Sequence, residues 1–171
     1  MSFPALFLKR REDRRLRAGH PWVYSNEVDV QRSPLAAFEP GQQAEVRASD
    51  GHFLGMAYVN PRTLISARVY SRRADEPLDR ALLARRVARA LALRERLFES
   101  PQYRLVHGEG DGLPGLVVDR YGDLLVAQLG TAGMDRLRAE VVGVLAESTG
   151  ARVVVLRNDA AGRAIEGLEQ T

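Results

Sequence analysis

Short apolar runs alternate with turn-forming residues along the first 73 positions, a pattern typical of a β-rich domain. The alternation is clearest at residues 64–71, where Ile65, Ala67 and Val69 share one face. The pattern predicts five strands, at residues 5–9, 22–24 (running on towards 30), 43–48, 53–59 and 64–71. A short helical turn is predicted at residues 10–17, just before Gly19.

Helical periodicity appears after residues 75–77, which form a predicted linker. Asp79 is placed to cap a helix over residues 80–99. Its apolar side chains share one side of the helix: Leu83, Val87, Leu91 and Phe98. Another side carries Arg85, Arg89 and Arg96, and we interpret that arginine face as solvated surface.

Beyond this helix, the pattern predicts strands at residues 103–107, 116–121 and 124–129, a helix at 133–148 and a buried strand at 152–156. Met134 lies on the apolar stripe of the second helix and is predicted to be a core residue, while Gly150 ends that helix. The order of three strands, a helix and a strand predicts an α/β layer in which the helix covers one sheet face.

Composition restricts the chemistry available to these 171 residues. Hydrophobic residues make up 45% and charged residues 27%, as in soluble globular proteins. The absence of cysteine excludes disulfides, cysteine-ligated metals and cysteine nucleophiles within this chain, and three scattered histidines predict no metal site. No apolar run approaches the roughly 20 residues of a membrane span, and the N-terminus does not resemble a signal peptide. The expected location is the cytoplasm.

Positive charge is concentrated in the first 73 residues, which carry 12 Lys plus Arg against 7 Asp plus Glu. The densest stretch is residues 9–17, here called the basic segment, with six cations: Lys9, Arg10, Arg11, Arg14, Arg15 and Arg17. Glu12 and Asp13 cannot pair all six. His20, Trp22 and Tyr24 follow closely, and arginines beside aromatic rings suit RNA phosphates and unstacked bases. The alternative is a charged solvated turn with Trp22 as a core anchor.

A glycine-rich stretch, GEGDGLPGLVVDRYGD at residues 108–123, has the spacing of a cofactor loop. Gly110, Gly112 and Gly115 match GxGxxG, a pattern that binds phosphate or a nucleotide only between a strand and a helix. The residues after these glycines are β-branched and predict a second strand. We therefore expect a turn with positive φ angles between two strands, and not a nucleotide loop.

Several motifs together resemble one family. LysArg at 9–10, GHPWVYSNEV at 19–28, GxFLGxAYVNP at 51–61 and LISARVYS at 64–71 resemble the N-terminal PUA domain of the S-adenosylmethionine (SAM)-dependent large-subunit (23S) ribosomal RNA cytosine-C5 methyltransferases. RLVHGEGDGLPGLVVDRYGD at 104–123 resembles the signature of that family's central domain, and RNDAAGR at 157–163 with EGLE at 166–169 fits it as well.

This resemblance implies an α+β protein, with a PUA-like small β-barrel at residues 1–73 followed by a central α/β domain at residues 74–171. In the family, a Rossmann-like domain then binds SAM and carries catalysis. The resemblance thus implies that this chain is an N-terminal fragment that binds ribosomal RNA, with no catalytic site, no cofactor and no metal of its own. SAM would be the cofactor of the full-length parent.

A second group of residues is expected, by the same resemblance, to face the active-site cleft of the parent. Its members lie in the glycine-rich stretch and after the last strand: Asp111, Gly112, Pro114, Gly115, Asp119, Arg120 and Asp159. The alternative is a tight hairpin turn in which Asp119 and Arg120 pair with their neighbours.

Two other functional classes stay open at this point. A stand-alone RNA-binding module with no enzyme attached would share all the charge features, and a small complete methyltransferase would use the glycines of residues 108–115 to bind SAM. The modified nucleotide and the formation of a homodimer are also open.

Overall fold

The computed structural model describes residues 3–170, which form two compact units, one ending at Pro77 and the other beginning at Leu78. No helix among these residues combines the length and the apolar character needed to cross a membrane. Each unit has its own sheet.

The first unit is built on a curled half-barrel sheet of five strands. In chain order the strands are β1 (Ala5–Phe7), β2 (Trp22–Tyr24), β3 (Gln42–Arg47), β4 (Phe53–Val59) and β5 (Ile65–Ser71). They lie side by side as β1-β3-β4-β5-β2, with β1 parallel to β3 and the other neighbours antiparallel. A bridge between Leu8 and Val28 joins the chain just beyond the two edge strands, so β1 and β2 approach each other across the curl.

Apolar side chains fill the inside of this half-barrel. Leu6 from β1, Leu8 just after it, Val23 from β2 and Val46 from β3 are fully buried. The N-terminal strand is therefore part of the core of the unit.

The helix after β1 is shorter than the predicted turn at residues 10–17. It is a single turn, α1 (Arg14–Arg17), because Arg11 adopts a positive φ of 71° that interrupts helical geometry. Leu16 anchors this turn in the core.

The second unit combines a four-stranded sheet with helices. In chain order it contains α2 (Arg80–Leu97), β6 (Gln102–His107), β7 (Leu116–Tyr121), β8 (Leu124–Leu129), α3 (Ala132–Asp135), α4 (Arg138–Thr149), β9 (Val153–Leu156) and α5 (Gly162–Ile165). The strand order is β6-β7-β8-β9, antiparallel except for the parallel pair β8 and β9. The helices α3 and α4 make the crossover that a parallel pair requires.

The cap of α2 is the one that its sequence predicts, since the Asp79 carboxylate accepts a hydrogen bond from the Leu82 amide at 2.9 Å. The helix buries Leu82, Leu83, Val87 and Ala90. Phe98, predicted on the buried side, instead ends the helix with extended backbone and is 49% exposed. Its ring stacks on Tyr103.

Two further predictions for this unit need correction. The predicted helix at residues 133–148 is divided into α3 and α4, because Leu137 has a non-helical ψ of 20°. The predicted buried strand at residues 152–156 is an edge strand, in which Val153 and Val155 are 51% and 43% exposed. Met134 is fully buried, as its place on the apolar stripe predicts.

Candidate nucleic-acid interface

The basic segment is held at both ends by hydrogen bonds to backbone carbonyls. At its start, the Lys9 amide donates to the Glu27 carbonyl at 2.9 Å, and the Lys9 ammonium donates to the Asn26 carbonyl at 2.8 Å. At its end, the His20 amide donates to the Arg15 carbonyl at 3.0 Å, across a turn in which Gly19 has a φ of 96°. The arginines are therefore displayed on an ordered loop.

Most cations of this loop lie at the surface. Lys9, Arg10, Arg11, Arg14 and Arg17 are exposed. Arg17 also pairs with Asp13, one helical turn earlier, and the hydrogen bond from its guanidinium lowers the pKa of the Asp13 carboxyl below its ordinary value.

Arg15 differs from the other cations because it is tied to a buried carboxylate. Its guanidinium lies 3.0 Å from the Oε1 atom of Glu27, a residue that is 4% exposed. The other oxygen of Glu27 accepts a hydrogen bond from the Tyr24 amide at 2.8 Å, and the Arg15 guanidinium lies 4.7 Å from the centre of the Tyr24 ring. This arginine therefore fixes the loop against β2 as well as contributing charge.

Trp22 is the centre of an aromatic and cationic cluster on the edge strand β2. The His20 ring meets it edge-on, with ring centroids 5.6 Å apart, and the Arg68 guanidinium lies 5.4 Å from the centre of its ring. Arg15 links this cluster to the basic segment, because its Nη2 atom is within 3.1 Å of both ring nitrogens of His20. Trp22 is only partly buried, and it is the neighbouring Val23 that fills the core.

The fold thus brings together four of the predicted residues, beside the exposed cations of the basic segment: Arg15, His20, Trp22 and Tyr24. A partly exposed indole flanked by guanidinium groups can stack on a nucleobase, and exposed arginines can form bidentate contacts with phosphates. The sequence prediction missed Arg68 and Glu27. Arg68 could have been identified from the pairing of β5 with β2, because Arg68 lies directly opposite Trp22 in these two strands.

The glycine-rich stretch folds as a turn between two strands, which confirms the predicted context. After β6 comes one turn of 3-10 helix at Gly108–Asp111, then Gly112 in the left-handed region, and then β7. Two arginines of α2 hold this turn. Arg94 makes two hydrogen bonds of 2.7 Å to the Asp111 carboxylate, and Arg86 donates to the Gly112 carbonyl.

Gly115 shows why the turn requires glycine. Its φ is 78°, and a Cβ added there would lie 2.2 Å from the Thr131 hydroxyl oxygen. Thr131 is buried and caps α3, since its hydroxyl accepts a hydrogen bond from the Met134 amide. Pro114 beside it is also buried.

The other members of the second predicted group have partners of their own. Asp119 pairs with Arg104 across β6 and β7 at 2.9 Å, and the exposed Asp159 pairs with Arg157 at 3.2 Å. Arg120 donates to the Tyr103 hydroxyl at 3.2 Å. Because Asp119 and Arg120 are consecutive in a strand, they point to opposite faces of the sheet and cannot line one face together.

The residues of this turn do not fit a SAM site. A strand follows the glycines where a nucleotide loop needs a helix N-terminus, and the carboxylate of Asp111 is occupied by Arg94. No step of methyl transfer is therefore assigned to the described residues.

A buried polar cluster fastens residues 157–169 to the end of β8, and sequence reasoning did not identify it. Arg163, only 1% exposed, donates to the Leu129 carbonyl, to the Glu169 carbonyl at 2.8 Å and to the Asp135 carboxylate at 3.1 Å. Burial raises the pKa of Asp135, but hydrogen bonds from Arg138 and Arg163 outweigh it, so that the pKa lies below its ordinary value. No sequence pattern marks this arginine, because its burial depends on packing between distant elements.

Comparison with known proteins finds a domain match within the first unit. Residues 6–72 match the PUA-like domain family. The chain is 40% identical over 165 residues to the Ribosomal RNA large subunit methyltransferase I of Shewanella amazonensis, an alignment that covers 94% of this chain and 41% of the relative. It is 35% identical over 171 residues to the protein of the same name from Vibrio cholerae, covering 98% and 42%. The chain thus spans about two fifths of the length of these relatives.

Two solved structures share the fold. One is a candidate SAM-dependent methyltransferase from Streptococcus mutans, with a TM-score of 0.75 and 17% identity, over 92% of this chain and 42% of that one. The second is a candidate methyltransferase solved with SAH, with a TM-score of 0.75 and 18% identity, over 90% and 40%. The chain therefore contains a PUA-like domain and has relatives among ribosomal RNA methyltransferases.

Proposed function

We propose that this chain is the RNA-recognition portion of a SAM-dependent ribosomal RNA methyltransferase that acts on cytosine C5. SAM binding and catalysis would reside in the remaining part of a longer protein, because the chain corresponds to about two fifths of its relatives. The observation that carries this proposal is the joining of the basic segment to the Trp22 cluster through Arg15. It gives one surface the two kinds of contact that RNA recognition uses, phosphate contacts and base stacking.

The first test measures how salt weakens binding of the full chain to a single-stranded fragment of large-subunit ribosomal RNA. Each phosphate contact adds about −0.7 to the slope of log K against log salt for single strands. The Arg10→Ala and Arg14→Ala double variant should therefore make the slope shallower by about 1.4. These arginines are chosen because both are exposed, whereas loss of Arg15 would leave the buried Glu27 without its cation.

A matched control removes two exposed arginines of the same unit that lie outside the basic segment, Arg62 and Arg73. Arg62→Ala with Arg73→Ala changes the net charge by the same amount and should leave the slope close to that of the unsubstituted chain. If both double variants make the slope shallower by the same amount, net charge alone governs binding and the proposed site is wrong.

A second test addresses stacking. Trp22→Ala should weaken RNA binding by about 5- to 150-fold, since an aromatic–base stack contributes about 1–3 kcal/mol. The slope against salt should not change, because the indole releases no counterions. Trp22→Phe should retain part of the affinity.

Tyr121→Ala is the control for this stacking test, because Tyr121 is a 55% exposed aromatic residue of the second unit. It should bind RNA as the unsubstituted chain does. Unchanged affinity in Trp22→Ala, with its fold verified by circular dichroism, would remove Trp22 from the interface.

A further inference from the structure

A cavity of about 630 Å³ opens in the second unit between α2 and the glycine-rich turn. Three arginines of the helix line it, Arg86, Arg89 and Arg96, opposite Gly110 and Gly112. Its size is that of a small-molecule site, for which volumes of about 300–1,000 Å³ are usual.

The helix period explains why these side chains meet. Positions 86, 89, 93 and 96 follow spacings of three, four and three residues, so they share one face of α2. The row extends over about 15 Å along the helix axis, at a rise of about 1.5 Å per residue. A row of this length fits an extended polyanion better than a single phosphate.

The charge of the cavity favours an anion. Its lining residues carry three guanidinium groups against two carboxylates, Glu109 and Asp111. Asp111 is already neutralised by its bidentate pair with Arg94, whose side chain is largely buried. The neighbouring Glu95 lies 4.0 Å from Arg120 and is not one of the lining residues. Arg89 and Arg96 remain exposed at the mouth of the cavity.

An apolar surface accompanies the arginines. Leu93 lies in the middle of the row and is 46% exposed, although it belongs to a helix that buries other leucines. Ala92, which is also exposed, lines the cavity beside it. Guanidinium groups on both sides of an exposed leucine suit a strand of nucleic acid, with phosphates on the arginines and the sugar or base edges on the apolar centre.

We infer that the groove between α2 and the glycine-rich turn is a second RNA-backbone site, in which Arg89 and Arg96 bind phosphates and Leu93 contacts the sugar. This inference rests on the proposed function, because the ligand is the RNA that the first unit is proposed to recognise. It also gives the glycines of the turn a role, since Gly110 and Gly112 add no side chains of their own to the opposite wall of the groove, which Glu109 and Asp111 also line.

The test uses the full chain and the same RNA fragment. Arg89→Ala with Arg96→Ala should make the slope of log K against log salt shallower by about 1.4, as expected for two lost phosphate contacts. Alanine is the residue that best favours a helix, so the fold should be retained, and circular dichroism checks this. If the alanine variant fails to fold, Arg89→Gln with Arg96→Gln replaces it. Arg86 is left in place because it holds the Gly112 carbonyl.

The matched control is Arg152→Ala with Arg157→Ala, two exposed arginines of the same unit that do not line the groove. The inference is supported if this control keeps the slope of the unsubstituted chain while Arg89→Ala/Arg96→Ala makes the slope shallower. If Arg10→Ala/Arg14→Ala makes the slope shallower while Arg89→Ala/Arg96→Ala does not, the groove is not an RNA site and the proposed function stands. If the unsubstituted chain does not bind the RNA, both fail.

Titration with inorganic diphosphate, followed by NMR of the Gly110 and Gly112 amides, separates RNA from small anions. Shifts that disappear in Arg89→Ala/Arg96→Ala support phosphate binding in the groove. Such shifts together with an unchanged RNA slope in the variant would identify a small-anion site and overturn the inference of an RNA site.

Discussion

Gly115→Ala is expected to destabilise the second unit by about 2–5 kcal/mol. The left-handed backbone conformation costs an alanine about 1–2 kcal/mol, and forcing extra volume into a packed site costs about 1–3 kcal/mol more. The crowding arises because the new methyl group would meet Thr131, which is itself fixed as the cap of α3. Urea unfolding monitored by far-ultraviolet circular dichroism measures the loss.

The comparison variant is Gly122→Ala. Gly122 also has a positive φ, of 62°, but no atom lies within 4 Å of an added Cβ. It should lose only the backbone contribution, about 1–2 kcal/mol. Equal losses in the two variants would show that the contact with Thr131 contributes nothing.

The single tryptophan allows the unfolding of the two units to be followed separately. Trp22 belongs to the first unit and is the only tryptophan in the sequence, so its fluorescence follows that unit, while circular dichroism follows both. Gly115→Ala should shift the circular dichroism transition and leave the fluorescence transition in place. A common shift of both signals would mean that the two units unfold together.

Arg163→Met is expected to cost about 3 kcal/mol, the lower end of the range for breaking a buried ion pair, because Arg163 is buried but the Asp135 side chain is 23% exposed. Methionine keeps most of the buried volume, so the loss reflects the missing charge and hydrogen bonds. The Leu129 and Glu169 carbonyls would lose their donor, and Asp135 would keep Arg138 alone. The midpoint of urea unfolding, measured by circular dichroism, gives the size of the effect.

Arg157→Met serves as the control, because Arg157 is 63% exposed and its ion pair with Asp159 lies in solvent. Its stability should remain within about 0.5 kcal/mol of the unsubstituted chain. A double variant, Arg163→Met with Asp135→Asn, should lose less than the sum of the single losses, since each single variant leaves a partner behind. Simple additivity would show that the two side chains do not act as a pair.

Strands and helices could be predicted from the sequence wherever local periodicity determines them. The two ends of β4 follow directly from the apolar run between two turn signals. The start of α2 follows from Asp79, whose side chain caps the helix. The context of the glycine-rich turn was predicted because β-branched residues follow it. The division between α3 and α4 was not, since the apolar stripe continues through Leu137 while the backbone there leaves the helical region.

The candidate sites were less accessible to sequence reasoning. The basic segment stands out by charge density alone, but nothing in it distinguishes Arg15, which holds a buried carboxylate, from its exposed neighbours. Arg94 and Arg163 are similar cases, since their carboxylate partners lie 17 and 28 positions away along the chain. Pairings between distant residues depend on the tertiary fold, and a single sequence does not reveal them.

The bridge between Leu8 and Val28 has a consequence for the energetics of recognition. It closes a loop of the chain that contains the whole basic segment, and the buried Leu16 side chain anchors α1 in the core. The arginine side chains thus start from a backbone whose conformational entropy is already lost on folding. Preorganisation of this kind leaves less ordering entropy to oppose association, so more of the contact energy with a ligand becomes affinity.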